Sequence, residues 1–504
     1  MLYTPSRVAG MWDTWCFYHQ GVHYLFYIHR TTPEEIFDGI SLAVSADGVH
    51  WEEKGEIIHK LKDAESIGSG SVWKVGGRFV MNFSETRRGV QAIFFAVSDD
   101  LMHWTRLGSE YCFCPDPRWY RVDRTGRWDG IWAVSNSDGS YTGFFTAVPK
   151  TGAMGVQESI GMAHSNDGVK WEAMAPPAFD WGNWGNLRTW EVGAVEKIGS
   201  RYWMLMGANE SVLGCRVSAG GSRKEEIGMF VYSSENMNGP FRAEPGCWRF
   251  LTGPCDRFLM AYFARFYRVP DKVLVNHHSI EPQLEGKLLV FARSWMAPLK
   301  VAMLTENGCL VPGYWEGNES LKGNESHLVF EGASLWPEYA LACNIRRGHD
   351  FLELTQPNAG GVAMAGKHFD IQRGIIIEGL VTIYKMHKAW ASAGIVVETE
   401  EKTKGTIILM NDSGIIEIGD ILAALPEDPS ITRIIRYVTR QFEIPAGTPI
   451  KFRVLLRHCF VELYINDICI QCYTMSEMPT GRIGWAVESG KVVFSSVKIW
   501  EMTV

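Results

Sequence analysis

No uninterrupted apolar run of membrane-spanning length occurs in the 504 residues, and Met1-Leu2-Tyr3-Thr4-Pro5-Ser6-Arg7-Val8 lacks the basic start and apolar stretch of a secretory leader. The expectation is a cytoplasmic protein with no membrane partner. Long Lys/Arg clusters are also missing, and a net charge of −8 with a pI near 6.0 leaves no basic face for nucleic-acid phosphates. The 11 cysteines are odd in number and scattered, so no disulfide framework is expected. Cys112 and Cys114 lie close, but a bare Cys-x-Cys does not make a metal centre, and the thiols are read as structural and reduced. Gly220-Gly221-Ser222 has no strand-to-helix context and is a flexible loop, not a phosphate cradle. No metal and no cofactor are expected.

What is plentiful is aromatic: 20 Trp, 25 Phe and 17 Tyr against 21% charged residues, a balance that suits a β-rich chain with ring-lined surfaces for sugars. The length exceeds one ordinary core, so at least two domains are expected. Four segments repeat one pattern: Leu42 to Trp51, Phe95 to Trp104, Met162 to Trp171 and the degenerate Phe230 to Asn236. Their serines, Ser45, Ser98, Ser165 and Ser233, are spaced 53, 67 and 68 residues apart. An alternating apolar run, a polar Asp/Asn/Gly corner and then an aromatic is a β-hairpin in sequence. Its recurrence predicts a β-propeller.

The repeats predict blades over Trp12 to the strand after Gly48, Gly68 to Trp104, Asp129 to Trp171 and Thr189 to Phe241, with a fifth, untagged, from Leu259 to Trp315. From about Gly323 the tags stop. Ile375–Tyr384, Gly394–Val397, Thr406–Met410, Ile450–Leu456, Phe460–Ile465, Arg482–Ala486 and Val492–Trp500 read as strands of an all-β sandwich, with a short helix over Ile421–Leu425. The expected division is a five-bladed propeller over 1–322 and a C-terminal β-sandwich over 323–504. In His277-His278, strand alternation predicts one buried and one exposed histidine.

A four-stranded blade takes roughly 40 to 45 residues, so a residue some 30 to 40 positions before the last hairpin sits on the innermost strand. Asp13 lies 32 residues before Ser45, Asp129 36 before Ser165, and Glu191 42 before Ser233. Three blades would each deliver a carboxylate to the central channel, each beside a tryptophan: Trp12-Asp13, Trp128-Asp129 and Trp190-Glu191. Converging carboxylates are what glycosidic cleavage needs, one to attack or activate water and one to protonate the leaving oxygen. Neighbouring rings supply sugar stacking and partial desolvation.

At these residues the chain resembles the clan of glycoside hydrolase families 32 and 68. Met11-Trp12-Asp13-Thr14-Trp15 followed by Val22-His23-Tyr24-Leu25-Phe26-Tyr27 resembles the first-strand motif of the invertases, inulinases and levanases and the Trp-Asp-Ser-Trp-Pro of levansucrases. Gly68-Ser69-Gly70-Ser71 is similar to the second-blade Ser-Gly-Ser motif, Arg127-Trp128-Asp129 to the Arg-Asp-Pro region, and Trp190-Glu191-Val192 to the Trp-Glu-Cys-Pro region. In the tail, Phe452 to His458 and Gly481-Arg482-Ile483-Gly484 resemble the family 32 sandwich.

The resemblance implies a retaining β-fructofuranosidase-like hydrolase with Asp13 as nucleophile, Glu191 as acid/base and Asp129 as transition-state stabiliser. Trp12, Trp15, Ser69, Ser71, Arg127, Trp128 and Trp190 are the expected substrate contacts. The chain departs from the family pattern in lacking Asn-Asp-Pro-Asn-Gly, in having Ile28 where Gln follows Leu-Phe-Tyr, and in having Gly130 after Asp129. His29, Trp73 and Arg188 are candidates to replace the missing contacts. A small carbohydrate is the expected partner, and a Trp-rich rim would permit a homo-oligomer. The other readings are an inverting, family 43-like arabinofuranosidase or xylosidase and a sugar-binding propeller without catalysis.

Overall fold

The computed structural model describes all residues except 1, 124, 151–158, 181–186, 211–225, 244–248, 255–260, 286–287, 327–328, 337–342, 387–389, 423–431 and 440–443. Strands dominate, and the helical elements among the described residues are two 3-10 turns, Ser109–Tyr111 and Glu316–Leu321. The chain divides into two compact units that change over between Gly317 and Asn318. No helix among the described residues is long and apolar enough to cross a membrane.

The first unit is propeller-like. Three four-stranded antiparallel sheets follow in chain order: Gly10–His19 to Glu52–His59, Ser66–Val75 to Thr105–Arg106, and Trp128–Ser135 to Glu172–Met174. A fourth sheet runs from Leu187–Ile198 through Arg201–Glu210 and Glu226–Ser234, with short outer strands added.

The repeated sequence tag is a side-chain-capped corner between the outer two strands of a sheet. Ser45 Oγ accepts from the Gly48 amide at 2.8 Å, while Asp47 Oδ1 accepts from the Val49 and His50 amides at 2.9 Å each. Ser98 and Asp100, and Ser165 and Asp167, repeat the arrangement. Ser and Asp recur there because a short polar side chain can satisfy amides that the turn leaves unpaired.

The strands expected as a fifth blade do not form a discrete sheet like the other four. Lys272–Glu285 is long enough to divide its partners: Leu288–Met296 pairs along its second half, and Lys300–Leu304 pairs at Leu274 and Val275. The Ala297 amide, bonded to the His277 carbonyl at 3.0 Å, marks the bend between them. The N-terminal segment returns here: the Leu2 amide donates to the Met296 carbonyl at 2.8 Å, and the Met296 amide to the Tyr3 carbonyl at 2.7 Å.

The second unit is a large antiparallel β structure. Ile483–Met502 pairs in turn with Phe351–Met364, Ile375–Lys385 and Ser392–Glu400, so the two strands expected at Arg482–Ala486 and Val492–Trp500 are one. Positive φ at Ser489 and Ser496 lets it bend without ending. The expected helix is also corrected: Ile421 and Leu422 close the strand Ile416–Leu422, and residues 423–425 lie outside the described residues. The Trp-rich rim is not seen, since among the described tryptophans only Trp119 is exposed. His277 and His278 are both buried, because the strand carrying them is covered on both faces.

Candidate active site

The innermost strand of each of the four sheets, and Ala261–Val269 as the corresponding strand of the next group, carries a register shift near its start. The shifts fall between Trp12 and Thr14, between Ile67 and Gly70, opposite Phe144 and Thr146, between Thr189 and Glu191, and between Tyr262 and Arg265. A bulge inserts one unpaired residue and re-aims the side chains beside it. Asp13 is itself the extra residue of the first and takes a φ of 34°, a left-handed value uncommon outside glycine. The five bulges bring Asp13, Ser69, Asp129, Glu191, Tyr262 and Arg265 into one cluster. Further along, the same five strands line a cavity of about 490 Å³ that includes Tyr18, Trp73, Trp132, Lys197 and Tyr267, so they surround a common axis.

The three acids predicted from the sequence therefore converge. Arg127 bridges two of them, donating from Nη2 to Asp129 Oδ2 at 3.2 Å and to Glu191 Oε1 at 3.0 Å. Tyr262 donates to Glu191 Oε2 at 3.2 Å, and Ser84 Oγ donates to Asp129 Oδ1 at 2.6 Å. Asp13 is 6% exposed, and its Oδ1 has no hydrogen-bond partner.

Burial pushes Asp13 well above the ordinary carboxylate range, and the charges of Glu191 and Asp129 add to the shift while Arg265 and Arg127 oppose it. Burial lowers the Arg265 guanidinium to about 10 against the pull of the same three acids. Its Nη2 donates to Ser69 Oγ at 3.3 Å, its Cζ lies 4.2 Å from the Phe263 ring centroid, and its Nε and Nη1 have no partner. Burial works against the Arg127 charge, yet Glu191 and Asp129 hold this guanidinium above its usual value. Burial, then Glu191 and Asp13, raise the Tyr262 hydroxyl.

Trp12 forms part of the wall, its ring 4.6 Å from that of His278, which in turn meets Tyr262 edge-on. His278 is held neutral by burial, which lowers it to about 3. Ser69 and Arg127 join the cluster as expected from the sequence.

Several expected contacts are not brought there. Trp15 is buried in the core against Phe26. Trp128 packs on Phe113 and Phe145, with Nε1 bonded to the Phe113 carbonyl at 2.9 Å. Adjacent strand residues face opposite ways, which sends Trp128 into the core as Asp129 turns to the axis. His29 stays within its own sheet, bonded to Ser41 Oγ at 3.0 Å and Glu56 at 3.1 Å. Ser71 Oγ is taken by the Ile131 carbonyl at 2.5 Å, and Trp73 Nε1 by the Gly168 carbonyl at 3.0 Å. The side chains of Arg188 and Trp190 lie outside the described residues.

Sequence reasoning missed Arg265, Tyr262, His278 and Ser84. The available signal was a polar residue interrupting an apolar strand, as in Phe263-Ala264-Arg265-Phe266 and Asn82-Phe83-Ser84. Asn82 is the hinge of a clamp: it accepts from the Ile131 amide at 2.7 Å and donates to the Ile131 carbonyl at 2.7 Å, fixing the strand that carries Asp129.

No protein-family model matches this chain, and no curated protein matches it by sequence. Solved structures do. Fructan 1-exohydrolase IIa from Cichorium intybus superposes with a TM-score of 0.64 at 14% identity, over 99% of this chain and 96% of that one. Sucrose-6-phosphate hydrolase from Lactobacillus gasseri gives 0.64 at 12% identity over 98% and 91%. A GH32 beta-fructofuranosidase from Bombyx mori gives 0.62 at 12% over 98% and 92%. At such identities the likeness is one of fold, and it runs the full length of the chain.

Proposed function

We propose that the protein is a retaining glycoside hydrolase acting on a β-fructofuranoside or related furanoside. The observation that carries the reading is the cluster itself: carboxylates from three inner strands, each aimed by a bulge, share one partly desolvated centre with Arg127. The fold is shared with a fructan 1-exohydrolase and a sucrose-6-phosphate hydrolase. The reading takes Ala261 to Tyr314 as the fifth blade of a propeller extending to about residue 322, and the remainder as a sandwich; five equivalent bulges support that count.

In this mechanism ionised Asp13 attacks the anomeric carbon as the bond to the leaving oxygen breaks and Glu191 gives that oxygen its proton. Water then attacks the same carbon, Glu191 takes the water proton, and Asp13 departs as carboxylate. A direct attack needs the two carboxyl groups about 5 to 5.5 Å apart. Arg127 can only donate, whereas the Tyr262 hydroxyl can donate or accept, so the Glu191 proton belongs on Oε2, the oxygen facing Tyr262. Asp129, held by Ser84 and Arg127, is the acceptor for sugar hydroxyls whose hydrogen bonds strengthen in the transition state.

The test is a product screen on sucrose, inulin- and levan-type oligosaccharides and aryl arabinofuranosides, with Asp13→Asn and Glu191→Gln as controls. Fructose released by the parent chain and absent with both variants is the expected result. Product with inverted configuration would replace the retaining mechanism. No turnover, with sugar binding unaltered in the variants, would leave a binding protein.

A further inference from the structure

Cys112 and Cys114 stand on either side of Phe113, with their sulfurs 2.8 Å apart. Among the described cysteines Cys114 is exposed, while Cys112 is half-buried. Phe113 is buried and fixed by an isolated bridge to Ile93, its amide donating at 2.9 Å and its carbonyl accepting at 3.1 Å. The same carbonyl accepts from Trp128 Nε1 at 2.9 Å, and the two rings are 4.9 Å apart. Trp128 lies in the chain directly between Arg127 and Asp129. The two sulfurs thus flank a residue in direct contact with the strand that carries Asp129.

We propose that Cys112 and Cys114 are a reversible two-electron oxidation site, closed by a low-molecular-weight disulfide, and that closure shifts Phe113, Trp128 and with them the Arg127–Asp129 pair. The Cys114 thiolate attacks the small disulfide, forming a mixed disulfide and expelling one thiolate. Cys112 then loses its proton and attacks the Cys114 sulfur, and the second small thiolate leaves. Two protein thiols become one disulfide as one small disulfide becomes two thiols.

The chemistry of each sulfur fits its part. The hydrogen bond from Cys112 lowers Cys114 to about 7, so the exposed sulfur is the one ionised near neutrality, and thiolate is the attacking form. The same bond, with burial, raises Cys112, the resolving partner. No third His, Cys, Asp or Glu joins them at metal-ligand distance among the described residues. A disulfide across one residue closes a small, tight ring, and strained, exposed disulfides are the labile and regulatory ones. Bringing the sulfurs to about 2.05 Å draws the two residues together around Phe113.

Trypsin isolates the site, because Leu107–Arg118 contains these two cysteines and no others. The full chain is treated with excess glutathione disulfide, blocked with N-ethylmaleimide and digested. The expected peptide is two hydrogens lighter and unblocked, and reduction with dithiothreitol followed by fresh N-ethylmaleimide converts it to the doubly blocked form. In C114S, Cys112 should be recovered blocked. Recovery of the parent peptide doubly blocked after oxidation would overturn the proposal.

The coupling is read separately. The oxidised chain should lose roughly tenfold in kcat/KM, with recovery on reduction and no loss in C114S, the size expected for a sub-ångström displacement of a catalytic group. Equal kcat/KM in a demonstrably oxidised chain would refute the coupling. This second arm alone rests on the hydrolase reading; a chain without hydrolase activity would fail that reading while the peptide masses still decide the oxidation site.

Discussion

Arg127 and Glu191 stand 64 positions apart in the chain and meet at 3.0 Å, and through the same nitrogen Arg127 also holds Asp129 at 3.2 Å. One guanidinium therefore sets the distance between the proposed proton donor and the proposed stabiliser of the sugar. A fixed fork of donors suits this role, while a lysine supplies one mobile point charge. Arg127→Met should lower kcat by roughly 100-fold and Arg127→Lys by less, as expected when a catalytic group is displaced by about 1 Å. Steady-state kinetics on the substrate found in the screen, beside melting curves showing intact fold, decide it. An Arg127→Met chain within twofold of the parent would remove Arg127 from the machinery.

The buried position of Asp13 fixes the sign of a pH dependence. The nucleophile must be ionised, and burial with two neighbouring carboxylates raises its folded pKa. Activity should then fall on the acid side at a pH above the ordinary carboxylate range, with an apparent value belonging to the coupled acids as a group. The kcat/KM profile of the free enzyme reports it. An acid limb at or below about 4, the value for an unperturbed carboxylate, would contradict the burial argument.

The same shift has a consequence for stability. A carboxyl whose folded pKa exceeds its unfolded value binds protons more tightly when folded, so stability falls as pH rises through the interval between the two values. At neutral pH Asp13 is held at a cost to the fold. Asp13→Asn removes the charge with little change of shape and should stabilise the chain by about 1 to 2 kcal/mol at pH 7, with activity abolished. The gain should shrink toward acid pH, where Asp13 in the parent takes up its own proton. Denaturant melts of both chains at pH 7 and pH 4 provide the comparison, and equal stability at both values would sink the idea.

What the sequence discloses is what is decided locally. The Ser-Asp corners are hydrogen-bonded within four residues, so they recur as readable tags, and counting back from them finds Asp13, Asp129 and Glu191. Of the tryptophans beside the acids, Trp12 stands in the wall of the cluster, whereas Trp128 misleads, since strand alternation turns it away from the axis and carries it into the core. Arg265 and Tyr262 are invisible to the same counting because the group that carries them has no tag. The bulges are also invisible, because an extra residue in one strand is defined only by the register of its partner. The double burial of His277 and His278 depends on what covers the strand from each side, which alternation alone does not encode.

Gly68 shows how little room the cluster leaves. A Cβ at this position would lie 2.2 Å from Ser84 Oγ and 2.9 Å from Asp129 Oδ1, inside the hydrogen bond by which Ser84 holds Asp129. Neither atom can yield freely: Ser84 is buried on one of the two interior strands of its sheet, and Asp129 is also held by Arg127. The methyl group of Gly68→Ala must therefore displace the carboxylate or the hydroxyl, at a cost of about 1 to 3 kcal/mol for overpacking. Ser84→Ala removes the hydrogen bond without adding bulk and should cost less activity. The expected order of kcat is parent, then Ser84→Ala, then Gly68→Ala, with KM for the sugar rising most in Gly68→Ala because Asp129 is the proposed hydroxyl acceptor. Full activity in Gly68→Ala would mean that Asp129 does not need this position, and the role assigned to it would fall.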